Sequence, residues 1–300
     1  MPIRVLVAGW FSFPGMGTTA GDLMARDVVC DWLDDAGCPY DVAVAPAFTH
    51  ERGIDWRGAS PGDYGCVMFV CGPFGNGPPV TEFLDHFRDC RKVGIDLTML
   101  QSLKEWNPFD LLLERDSDRT ANPDLALASR APKVPVVGVI LAHSQKEYKK
   151  SGLHAEANAA FHRLTRAREC AVVYIDTCLD PWNKYGLRTA AEVESMIARM
   201  DLVLTTRLHG LVLSLKNGVP PIVIDPVKGG AKLRRQADVL GWPVVFHADT
   251  VTDADLIRAW DDCLSPQAGI RARACHERSV AAIEPIRERF LSWLRREGGA

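Results

Sequence analysis

Apolar residues fall in short continuous runs along this chain, each followed by a glycine-rich or polar turn and then a segment of helical periodicity. Ile3 to Ala8, Asp41 to Ala45 and Cys66 to Cys71 read as strands of the first part, and Val134 to Leu141, Ala171 to Ile175, Leu202 to Leu204, Ile222 to Ile224 and Val244 to Phe246 as strands of the second. Runs of this kind suit parallel strands buried on both faces. Between them, Leu23, Val28, Val29, Trp32 and Leu33 share one helical face closed by Gly37, and Phe83, Leu84, Phe87 and Cys90 continue another. Thr98 to Leu103 reads as a short buried element. Helices are also predicted from Gly152 to Arg168, from Thr189 to Arg199, between Leu211 and Gly218, and from Pro266 to Arg296 with a break or kink at Pro285.

Repeated strand-helix alternation on both sides of Ala131-Pro132-Lys133 predicts an α/β protein of two doubly wound, Rossmann-like domains facing a cleft. The expected divisions are 1-132, 133-265 and a helical segment 266-300. The stripe of Ile286, Phe290, Trp293 and Leu294 would return that last helix to the first domain.

Composition changes this picture little. A 47% hydrophobic fraction with 24% charged residues is that of a globular enzyme, and the net charge of -3 with scattered Lys and Arg gives no nucleic-acid footprint. The nine cysteines form no CxxC pair and suit a reducing compartment. MPIRVLVAGW lacks the pattern of a secretory leader, and no run reaches the roughly 18 apolar residues of a membrane span. The expectation is a cytoplasmic protein without an integral membrane segment, for which a homo-oligomer remains open. His154 and His162 share a helical face but lack a third ligand, so no metal site is read.

Candidate chemistry concentrates in DLVLTTRLHGLVLSLKNGVPPIVID, residues 201-225. Its turn carries Arg207 and His209 just before Gly210, where a helix begins. The first amides of a helix have no internal acceptor and carry partial positive charge, so the turn suits a small anion. Arg207 adds a planar fork for carboxylate or phosphate, and His209 a group that titrates near neutrality. Lys228 and Lys232 flank a Gly-Gly loop and would suit a phosphate, unless they are merely solvated. His143 sits in the exit loop of a strand. The turns GWFSFPGMGTTAGD and GPFGNGPP follow strands, at the edge where open α/β sheets hold ligands. Arg115 and Asp116 read either as a site pair or as a structural salt link. Trp10, Trp106 and Trp182 are loop aromatics able to stack on a sugar or to pack.

TTRLHGLVLSLKNGVPPIVID, followed by Lys232 and Leu240-Gly241-Trp242-Pro243, resembles the polysaccharide pyruvyl transferase family. TTAGD, CGPFG, ERDSD and NPDLAL are similar to its N-terminal segments more weakly. Thr19 stands where that family has Asn, Leu23 where it has an acid, Arg119 where it has Ser or Thr, and Pro73 interrupts a glycine run. The resemblance implies a GT-B-like pair of domains. It also implies transfer of a pyruvyl group from phosphoenolpyruvate to a sugar-like acceptor as a ketal, with release of phosphate and no cofactor. On this reading Arg207 and His209 are catalytic. Gly210, Lys232, Lys228, Arg115 and His143 join them in binding the donor, and Gly17, Thr19, Asp22, Gly72 and Phe74 contact the acceptor. A nucleotide-sugar glycosyltransferase or epimerase, and a non-catalytic relative, are the competing readings.

Overall fold

The computed structural model describes residues 3-142, 152-179, 183-228 and 232-297. The chain divides into two compact units, Met1–Pro132 and Lys133–Ala300. Both are parallel α/β structures.

In the first unit β1 (Val5–Ala8), β2 (Tyr40–Ala43), β3 (Gly53–Ile54), β4 (Cys66–Phe74), β5 (Arg91–Met99) and β6 (Leu111–Leu113) form one parallel sheet in the order β3-β2-β1-β4-β5-β6. This is the Rossmann strand order, with its direction of winding reversing between β1 and β4. Alternate residues of β1 serve opposite cores. Val5 and Val7 pack with Ala25, Val29 and Leu33 of α1 (Ala20–Asp35), while Leu6 and Ala8 pack with Phe83 of α2 (Val80–His86). The second core is rich in rings: Phe69 lies 4.9 Å from Phe74 and 6.1 Å from Phe13, centroid to centroid.

The sequence pattern misplaces β5. Thr98 and Met99 close that strand, and Leu100 beyond them is 62% exposed, so the buried element expected over 98-103 is not formed. RKVGIDLTM hides its strand because Gly94 and Asp96 break the apolar run. Cys90, expected to continue α2, lies past its end and is anchored by its amide to Phe87 O at 3.1 Å.

The second unit holds β7 (Val136–Ile140), α3 (His154–Ala167), β8 (Ala171–Tyr174), α4 (Ala190–Ile197), β9 (Leu202–Thr205), α5 (Leu208–Lys216), β10 (Pro221–Asp225), α6 (Lys232–Leu240), β11 (Val245–His247), α7 (Asp253–Cys263) and α8 (Pro266–Glu297). Its sheet is parallel, in the order β11-β10-β9-β7-β8. Counted within this unit the order is that of a flavodoxin-like sheet, with the reversal between β7 and β9. Leu202 and Leu204 face the core built by α3, α5, α6 and α7, and Val203 faces the one built by α4.

Within its own unit the terminal helix packs against α5, α6 and α7. Ala268, Ala272 and Cys275 are buried, and their small side chains at intervals of four and three let the helix approach closely. Ile286, Phe290 and Trp293, farther along the helix, are exposed. The helix continues through Pro285, where the expected break is not formed; on an exposed stretch, the carbonyl that loses its partner can turn to water.

Removing the ring at the centre of the first unit tests this packing. Phe69→Ala is expected to cost about 3–5 kcal/mol, since Phe69 is 1% exposed among four aromatic neighbours, and Leu127→Ala, 82% exposed, less than about 0.5 kcal/mol. Thermal melts of the two variants should separate clearly.

Candidate functional site

Each unit carries a cavity at the strand ends where its sheet reverses direction. Diverging connections leave a crevice at such a point, so backbone amides and loop side chains converge on it.

In the second unit a cavity of about 290 Å³ is lined by residues that follow four strands. Ala142 follows β7, Thr177 and Cys178 follow β8, Thr206, Arg207 and His209 follow β9, and Asp225 and Pro226 close β10; His154 of α3 and Lys232 of α6 complete it. Two buried threonines hold the reversal together. Thr205 Oγ1 donates to Ile140 O at 2.9 Å and accepts from Arg207 N at 3.0 Å. Thr206 Oγ1 accepts from Ala142 N at 2.8 Å. Gly210 lies against this clamp, and a methyl there would collide with Thr205 Oγ1 and Cβ. Gly210 is therefore buried and does not line the cavity; its requirement is packing under the turn.

Arg207 is tied to Asp176. Its Nη1 donates to Asp176 Oδ1 at 2.5 Å, with Thr177 Oγ1 and Cys178 Sγ each 3.2 Å away, and the two charged side chains are 15% and 8% exposed. His209, on the first turn of α5, is exposed and has no hydrogen-bond partner among the described residues. No side chain caps the start of α5, which begins at extended Arg207. The start of α6 differs: Asp225, 1% exposed, accepts from Arg234 N and Val227 N, each at 3.1 Å. An acid therefore satisfies one helix start, while the other opens on the cavity.

Of the residues expected to hold a donor, Arg207, His209 and Lys232 meet in this cavity, and Lys228 is exposed outside its lining. His143 lies outside the described residues, as does Trp182. Arg115 belongs to the first unit and lines that unit's cavity, which it reaches from the loop after the edge strand β6. Sequence reasoning missed Asp176 and Asp225 and set His154 aside. Both acids end apolar runs, AVVYID and PIVID, and a carboxylate closing a buried strand was the available signal.

The first unit's cavity, about 390 Å³, is lined by Gly17, Thr19, Asp22 and Gly72 together with Trp10, Cys71, Pro73, Arg115 and Asp124. Thr19 and Asp22 form a reciprocal cap of α1, with Asp22 Oδ2 accepting from Thr19 N at 2.7 Å and Thr19 Oγ1 at 2.8 Å. Trp10 Nε1 donates to Pro73 O at 3.0 Å. Phe74, expected to touch an acceptor, is a core residue: it is fully buried and stacks on Trp106 at 5.5 Å. Arg115 bridges the loops, donating to Asp124 at 2.8 Å, to Thr98 Oγ1 at 2.6 Å and to Asp116 at 3.3 Å. Between the register pairs Val70–Ile95 and Gly72–Leu97, β4 and β5 each leave one residue out of register. These are Cys71 and Asp96, both buried and both left-handed, with φ of 63° and 59°. Burial raises both groups above their ordinary range, Asp22 adding to the effect on the Cys71 thiol and Asp124 to that on Asp96.

The fold and the second unit's cavity together define an α/β protein with an uncapped helix start, an arginine and a histidine at a sheet reversal. Residues 122–226 match the family model described as Polysaccharide pyruvyl transferase, which supports a transferase. Similar solved structures include "Spinosyn Forosaminyltransferase SpnP", at 14% identity over 97% of this chain and 99% of that chain, with a TM-score of 0.33. Another is a putative UDP-N-acetylglucosamine 2-epimerase from Listeria monocytogenes, at 12% identity over 96% and 98% of the two chains, with a TM-score of 0.32. Comparison with curated proteins gives no match. Among the described residues no helix is long and apolar enough to cross a membrane.

Two expectations follow from the geometry. Thr205→Val keeps the shape but takes the acceptor from Arg207 N–H, so it should cost about 1–3 kcal/mol, read as a lower unfolding midpoint. The second concerns pH. Burial depresses the pKa of His154, with Lys232 acting in the same direction and Asp225 and Glu156 opposing. The unfolded chain then binds more protons than the folded one as pH falls through about 6.5, the ordinary histidine value, so stability is lost on the acid side. Unfolding midpoints measured from pH 7.5 to 5 should fall less steeply in His154→Gln than in the parent protein.

Proposed function

We propose that this protein transfers a pyruvyl group from phosphoenolpyruvate to two hydroxyls of a sugar or sugar-like acceptor, forming a ketal and releasing phosphate. The observation that carries the reading is the extent of the family match. Residues 122–226 take in the ends of β7, β8, β9 and β10 and finish at Pro226, leaving only Val227, Lys232 and Leu233 of the cavity lining outside.

The chemistry is consistent with the residues there. One acceptor hydroxyl adds to C2 of the enol while the methylene carbon takes a proton and becomes a methyl group. The second hydroxyl then displaces phosphate at C2 and gives up its proton. His209 is assigned one of these proton transfers, which its exposure and lack of a partner leave it able to perform. Arg207 and Lys232 are assigned the donor's anionic groups. Since Asp176 already balances Arg207, the uncapped start of α5 supplies further attraction. Gly17, Thr19, Asp22 and Gly72 keep the assignment to the acceptor, in the first unit's cavity.

The test is calorimetry with phosphoenolpyruvate, followed by phosphate release across a panel of sugar acceptors. Arg207→Ala should weaken donor binding by about tenfold or more, the loss of a charged hydrogen bond. His209→Gln should bind the donor within a fewfold of the parent yet lose on the order of 10²–10⁴ in kcat. Absence of phosphoenolpyruvate binding, with thermal stabilisation by UDP or GDP sugars instead, would overturn the proposal in favour of nucleotide-sugar chemistry.

A further inference from the structure

The first unit contains a cluster that the proposed reaction does not use. Cys71 of β4, Asp96 of β5 and Asp124, just before the 125-128 turn, bring one ligand atom each to within 4.8 Å of one another. Asp96 is 3% exposed; its carboxyl group meets the Leu125 backbone and the Cys71 side chain, but its Oδ2 has no hydrogen-bond partner among the described residues, which leaves that buried oxygen available to a cation. Four carboxylates gather here, Asp22, Asp96, Asp116 and Asp124, and Arg115 is the guanidinium among them. Arg115 approaches Asp124 at 2.8 Å and Cys71 Sγ at 4.0 Å, so two of the three candidate ligands are already held in place by one side chain.

We propose that Cys71, Asp96 and Asp124 bind a divalent metal ion of zinc type. One thiolate with two carboxylates, all from separate loops and strands, is a donor set of intermediate softness that favours zinc over magnesium or calcium. Binding places the metal against the orphaned Asp96 oxygen, and the Cys71 thiol gives up its proton to solvent as the sulfur–metal bond forms. Arg115 then acts as an outer partner that orients the Asp124 carboxylate through its existing hydrogen bond. Cys71 and Asp124 line the 390 Å³ cavity, so a coordination position beyond the three protein ligands opens toward it, available to water or to an oxygen of a bound molecule. The left-handed backbone at Cys71 and Asp96 sets the two side chains on neighbouring strands at one point of the sheet edge. The site shares its cavity with the residues assigned to the acceptor but takes none of them as a ligand, so metal binding is measurable whether or not the pyruvyl-transfer reading holds.

The experiment uses the full chain, stripped with a chelator and titrated with zinc chloride by calorimetry and with cobalt(II) by absorption. One metal per chain is expected, with a sulfur-to-cobalt charge-transfer band in the near ultraviolet. Cys71→Ser should abolish that band, while Cys38→Ser, on a half-buried cysteine elsewhere, should keep it. Asp96→Asn should weaken zinc binding at least tenfold. Asp124→Asn, at a partly exposed position that the fold does not depend on for burial, gives the same reading if Cys71→Ser fails to fold. Absence of saturable binding to the parent protein overturns the proposal. So does a cobalt band or zinc affinity that Asp96→Asn and Asp124→Asn both leave unchanged.

Discussion

The hydroxyl of Thr205 is the constraint on which the second unit's site rests. In a parallel sheet the strand ends present carbonyls and amides that have no further partners once the ladder stops, and where the winding reverses the two connections leave in opposite directions. Something must satisfy those groups without filling the crevice. Thr205 and Thr206 do so with two short side chains, joining the end of β7 at Ile140 and Ala142 to the end of β9 and the amide of Arg207. Because both threonines are buried, the geometry of the Arg207-His209 turn is set from beneath, and its upper side stays open to the cavity. Gly210 belongs to the same device, since only the absence of a side chain lets α5 start so close to Thr205.

The two cavities show one topological solution with differently capped helix starts. Both sit where strand order reverses, β1 beside β4 in one sheet and β7 beside β9 in the other. In the second unit the nearest helix start is uncapped and is accompanied by Arg207 and Lys232. In the first, α1 is closed by the Thr19-Asp22 box and the surrounding loops bring in Asp124 and Asp116. A helix start with a carboxylate folded back on it has little capacity left for an anion, so a shared architecture yields an open helix start in one unit and a closed one in the other.

Much of the architecture was legible because parallel strands buried on both faces leave continuous apolar runs. VLVA, VVGVI, LVLT and PIVID all became strands within about two residues of the expected ends, and helices follow the first three as expected, whereas the helix after PIVID was read only as a start near Lys232. β5 was not, because a glycine and a buried acid interrupt it. That same acid, Asp96, is where the backbone turns left-handed beside Cys71, so local sequence rules failed at a strained and chemically distinctive point. Arg207 and His209 were readable because a strand end, a turn and a helix start follow one another directly in sequence. Asp176, Asp225 and Asp124 were not, since each reaches its cavity through the order of strands in space. Phe74 misled for a related reason: it lies in a glycine-rich stretch that looks like a loop, yet β4 runs through it to the end of a nine-residue strand.

Arg207 and Asp176 remain the pair whose energetics bear most on the second unit. With side chains 15% and 8% exposed, both have lost most of their water, and the attraction between them offsets a desolvation cost that neither could sustain alone. Such a pair gives little net stability against an apolar replacement, so its retention at this point of the fold concerns position. Asp176 fixes the guanidinium against the β8 loop, and the rigid fork can then present its remaining N–H groups in one orientation. For the donor proposed above, the guanidinium's charge would already be balanced, so binding would depend on direction and on the nearby helix start more than on net charge. Selectivity by geometry would follow from that reading, because a compact carboxylate or phosphate can engage the fork and the amides together, whereas a bulky anion of the same charge would gain only one of the two.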